Sequence, residues 1–177
     1  MARNWLEEQK TLFIKNEIFT LSILSAFRQG KGYPIYKKKG VSENERMSFH
    51  DFLKKELIKY ESIYKKQVSD DKHIGNILHI QREVNSRFRN ILYLRLGRVQ
   101  KFFNIYLKYL WVLNWIPEPP HCPFDSMVIN RLGAVDRFTE FDDVDTYKKL
   151  LKLARIQSKK EKKSIAEWEL TFWNRMS

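Results

Sequence analysis

The stretch "KFFNIYLKYLWVL", Lys101 to Leu113, decides the fold. Ten of its thirteen residues are apolar or aromatic. That is too many for a helix with one broad face in water, so the segment reads as a helix buried on most sides at the centre of the molecule. Three residues interrupt the apolar run: Lys101, Asn104 and Lys108. Their spacings of three and four set them along one face. This stripe faces either water or a cleft. In a cleft, a lysine in the first turn beside aromatic rings would lose hydration and its pKa would fall, as a nucleophilic amine requires.

Directly downstream, "PEPPHCPFDSMVI" (Pro117 to Ile129) holds four of the chain's 5 prolines and its only cysteine. The prolines end the buried helix and deliver Asp125 along an extended approach to the next one. Asp125 or Ser126 caps that short helix, "SMVINRL", which Gly133 stops. His121 and Cys122 are adjacent, and adjacent ligands rarely share a tetrahedral site. With no C-x-x-C or H-x-x-x-H spacing present, no metal is expected. Phosphate-loop, dinucleotide and serine-hydrolase motifs are also missing, so no cofactor is implied.

Strand signals are nearly absent over the rest of the chain, while helical spacing and Ser, Thr or Asp caps recur. The expected fold is all-α, a single compact multi-helix orthogonal bundle over residues 1–177 around the buried central helix. A first helix is predicted from Asn4 to Phe27, followed by a basic loop over 28–41, "RQGKGYPIYKKKGV". A second helix begins at Ser42 or Ser48 and reaches about Gln67, and a third runs from Asp71 to about Tyr93. After the acidic "DRFTEFDDVD", a helix carries Val144, Tyr147, Leu151 and Ala154 on one side. The charged stretch at 158–163 reads as a solvated linker. Ser164 and Glu167 form a capping box for the last helix, docked through Ile165, Trp168, Phe172 and Trp173.

The chain has 33 Lys and Arg against 21 Asp and Glu, a formal net charge of +12. Such a field draws polyanions, of which nucleic acid is the commonest, although an acidic protein partner also fits. No apolar run approaches the roughly 20 residues that span a bilayer, and residues 1–30 lack the apolar core of a signal peptide. The expectation is a cytoplasmic protein that does not enter a membrane.

The order "LRLGRVQKFFNIYLKY", then a loop, then "PFDSMVINRL" resembles the catalytic segment of helix-hairpin-helix DNA glycosylases. The likeness is greatest to the archaeal 8-oxoguanine glycosylase branch and covers about residues 94–132. In that superfamily a lysine at a helix start attacks the sugar C1′, and an aspartate after a Pro-x-Asp turn assists departure of the base. The resemblance implies Lys101 as the nucleophile, Asp125 as the assisting carboxylate, and Gln100 beside the nucleophile. Of the two hairpin glycines usual there, only Gly97 is present.

For such an activity, Gln100, Asn104, Trp111, Trp115 and Phe124 are the candidate walls of a base pocket, with the core as the alternative place for the aromatic rings. Arg28, Lys31, Lys37, Lys38, Lys39, Arg95 and Arg98 are the candidate phosphate contacts. Tyr33 and Tyr36, interleaved with lysines, suit stacking on single strands. The competing reading is a non-catalytic helical protein that binds nucleic acid or another protein, such as a small regulator of a phage or mobile element. In that case the same residues hold the fold.

Overall fold

The computed structural model describes residues 2–27, 34–37 and 39–176, and it is all-α. Seven helices occur among the described residues: α1 (Ala2–Phe27), α2 (Glu43–Ile63), α3 (Asp70–Arg87), α4 (Leu96–Val112), α5 (Ser126–Arg131), α6 (Val144–Lys160) and α7 (Ile165–Met176). The sole extended pairing among them is an isolated antiparallel bridge between Tyr36 and Leu92. Buried residues from every helix join one hydrophobic core. At its centre lies α4, packed chiefly against α1 and α3, with Phe102, Phe103 and Leu107 fully enclosed.

Local chemistry sets the helix starts. Ser42 and Glu45 form a complete capping box on α2, so the start is Ser42 rather than Ser48. Ser69, Asp125 and Asp143 accept from the backbone amides of Lys72, Val128 and Thr146 at the starts of α3, α5 and α6. Ser164 and Glu167 exchange reciprocal bonds, each of 3.0 Å, at the start of α7.

Four boundaries differ from expectation. α2 stops at Ile63, short of Gln67. α3 stops at Arg87 rather than near Tyr93 because Asn85 exchanges two bonds with the Leu94 backbone and turns the chain. α4 ends at Val112, before any proline: Asn114 adopts φ 58° and Trp115 N donates to Leu110 O at 2.9 Å. That is a Schellman closure, and the prolines only extend the chain beyond it. Lys162, with φ 56°, closes α6 in the same way, its neighbour Lys163 N reaching Ser158 O at 3.0 Å. The expected linker at 158–163 is therefore the last turn of α6 and its cap.

Candidate functional site

The stripe on α4 divides. At about 100° per residue, Lys108 lies only about 20° around the helix from Lys101, whereas Asn104 is about 60° away. Lys101 and Lys108 accordingly line one cleft between α1, α4, α7 and the loop before α5, while Asn104 is fully buried on the flank.

The cleft encloses about 220 Å³. Ile105, Tyr109, Pro123, Leu170 and Trp173 form its apolar walls, and Lys101, Lys108, Asp125 and Glu169 are its charged groups. Burial lowers the Lys101 pKa, Asp125 opposes that shift and Arg98 adds to it. The Lys101 Nζ lies 4.3 Å from the centroid of the Phe138 ring, a cation–π contact that also opposes loss of its proton. Asp125 Oδ1 accepts from Val128 N at 2.9 Å. Its other oxygen makes no hydrogen bond among the described residues. Glu169, 2% exposed, meets Lys108 Nζ at 2.9 and 2.8 Å from its two oxygens. Only Oε1 has hydrogen-bond geometry, since Oε2 accepts none. Burial raises the Glu169 pKa and Lys108 opposes.

Behind the cleft runs a buried polar chain that the sequence did not reveal. His121 Nε2 is 3.2 Å from Asp70 Oδ1, and His121 Nδ1 is 2.8 Å from the Tyr147 hydroxyl. Asn104 Nδ2 donates to Tyr147 Oη and to Gln100 Oε1, each at 3.3 Å. His73 Nε2 is 2.8 Å from Asn104 Oδ1, and His73 Nδ1 is 2.6 Å from Tyr64 Oη, which accepts from Asn76 at 3.1 Å.

One proton assignment satisfies every member: both imidazoles neutral with hydrogen on Nε2, and both tyrosines donating to Nδ1. Burial lowers the pKa of both histidines. The His121 bond, with Arg155 in support, holds Asp70 down to about 2 against the effect of burial. Gln100 carries the chain to the loop, donating to Phe124 O at 2.8 Å and accepting from Phe124 N at 3.1 Å. The backbone of the residue before Asp125 is thus held by a side chain of α4. Cys122 is buried in the same loop, and burial pushes its thiol pKa well up.

The sequence-predicted residues fall into three groups. Lys101 and Asp125 come together. The base-pocket set does not: Gln100, Asn104 and Phe124 are fully buried in the polar chain and core, and Trp115 lines a different cleft with Lys15 and Glu61. Trp111 packs on the core. The aromatic walls of the cleft are Tyr109 and Trp173 instead, and the ring against the Lys101 amine is that of Phe138.

Among the basic residues, Lys37, Arg95 and Arg98 share a cleft with Tyr36 and Tyr93, and Lys39 is exposed. Lys37 Nζ donates to Arg89 O, Arg95 to Glu140 O and the buried Arg98 to Ala26 O. Arg28, Lys31, Tyr33 and Lys38 lie outside the described residues.

Gly97 does not offer an open backbone. A Cβ there would stand 2.1 Å from Phe138 O, and the amides of Leu96 and Gly97 are taken by Asp142 Oδ1 and Phe141 O. Comparison of the chain with protein-family models, curated proteins and solved structures finds no match.

Proposed function

We propose that the protein is a basic, helical DNA-binding lyase in which Lys101 is the nucleophile and Asp125 assists departure of a base. One observation carries this reading: the two side chains line one apolar-walled cleft in which burial lowers the pKa of the amine. The cleft is smaller than the roughly 300–1,000 Å³ of sites for drug-sized ligands, which suits a single ring system turned out of a base stack. The Lys101 nitrogen would close on the sugar C1′ while the glycosidic electron pair leaves with the base, which takes up a proton. The Asp125 carboxylate would offset the positive charge developing on the sugar. Opening of the sugar ring then leaves an imine between Nζ and C1′.

Borohydride reduces such an imine, so trapping on strands carrying oxidised, deaminated or abasic nucleotides tests the reading. The expected result is a covalent adduct that Lys101→Gln abolishes. Asp125→Asn, which keeps an N-cap side chain, should reduce its formation rate by about a hundredfold. No adduct on any of these substrates overturns it.

A second reading, a non-catalytic helical binder, is favoured by α1. Every residue from Asn4 to Ile14 is exposed, with Trp5, Leu6, Leu12 and Phe13 toward one side. Under that reading the strands are bound without an adduct.

A further inference from the structure

Three clefts join into one groove. The cleft between Lys37, Tyr93 and Arg95 shares Arg98 and Thr139 with a second, which contains Phe138 and Arg137. The second shares Ser25 with the Lys101 cleft. The three enclose about 290, 430 and 220 Å³. Lys37, Arg95, Arg137 and Lys101 lie along the groove, with Arg98 buried beneath it on Ala26 O. Arg137 pairs with Glu140 at 3.1 Å, and the one carboxylate lining the middle section, Asp136, is 3.3 Å from Lys149 Nζ. Tyr93, 42% exposed, stands at the far end with its hydroxyl donating to Asp142 at 2.6 Å. Its ring lies 5.9 Å from Lys37 Nζ. The partners of Lys37 among the described residues are this ring and a carbonyl, neither of which neutralises its charge.

A concave basic track with rings along it matches a single strand, whose bases stack on aromatic faces while its phosphates follow the cations. A duplex is too wide to enter clefts of this size, and the amides at the start of α4 that might cradle its phosphates are already bonded. We infer that the groove holds single-stranded DNA, with Tyr93 as a stacking platform and Lys37 on a phosphate, leading the strand toward Lys101. This rests on the reading of the Lys101 cleft as a DNA site.

The test is fluorescence anisotropy of the full chain with labelled oligothymidine, alone and annealed to its complement, over a salt series starting at about 50 mM. The expected result is binding to the single strand about tenfold tighter or more. Tyr93→Ala should weaken that binding by about tenfold, and Tyr93→Phe, which keeps the ring and loses the Asp142 bond, should restore it. Lys37→Gln should reduce the salt slope by about 0.7.

Equal or tighter binding of the duplex overturns the inference. So does a Tyr93→Phe protein as weak as Tyr93→Ala, which would mark the hydroxyl bond as the relevant feature. Borohydride trapping reads Lys101 separately: single-strand preference without an adduct removes only the lyase, and an adduct without a Tyr93 effect removes only this track.

Discussion

Each ionisable residue in the cleft is governed by what surrounds its charge, and Lys108 shows this most directly. Its ammonium is the ion-pair partner of Glu169, whose side chain is 3% exposed. Removing one member of such a pair strands the other, whereas replacing both with apolar groups removes the desolvation cost altogether. Lys108→Met should therefore destabilise the fold by about 3 kcal/mol, and Lys108→Met with Glu169→Leu should recover most of the loss, as read from urea unfolding midpoints. A double variant as unstable as the single one would show that α7 is held by something other than this pair. At this scale the sequence was informative about type and poor about environment. Lys101 and Lys108 were legible as polar residues on a buried helix. Asn104 was grouped with them because spacings of three and four tolerate an offset of about 60°, and that offset separates a cleft from the core.

The helix starts at Ser42, Asp125 and Ser164 were legible because their caps are local, each acting within three residues. Helix ends were less so. Asn114 and Lys162 take up a left-handed conformation that glycine most often fills, so neither residue type announces a stop. What caps α4 was also out of reach, since Asp142, which accepts from Leu96 N, arrives from 46 residues away. The link between α4 and the proline-rich loop belongs to this scale as well. Gln100 satisfies both backbone groups of Phe124, and Gln100→Leu would leave them buried and unpaired. A loss of about 2–4 kcal/mol is expected, together with much faster hydrogen exchange at the Phe124 amide while the α6 amides exchange as before. Unchanged protection at Phe124 would mean the loop is held by its own prolines.

Across the whole molecule, the buried imidazoles set the response to acid. Their pKa values in the fold lie below the ordinary 6.5, as does that of the half-buried His50. Below pH 6.5 the unfolded chain therefore takes up protons that the folded chain refuses. Stability should be level above about pH 7 and fall by up to about 1.4 kcal/mol per pH unit for each buried histidine as pH drops through 6.5. Asp70, held down to about 2 from 3.8, adds a further loss only below pH 4. Urea midpoints across this range check the sign, and a flat profile from pH 7 to pH 5 would contradict the neutral assignment. The all-α class and the buried central helix could be read from periodicity alone. The histidine chain could not, because Asp70, His73, Asn104, His121 and Tyr147 meet only once α3, α4, α6 and the loop have packed. Cys122 has a practical consequence for measuring all of this. Thiol reagents are electrophiles that the thiolate attacks, and the sole native sulfhydryl is enclosed and held protonated. A cysteine placed at Lys39 or on the exposed turns of α1 would thus be the one labelled position, ready for dyes or crosslinkers without first deleting the native residue.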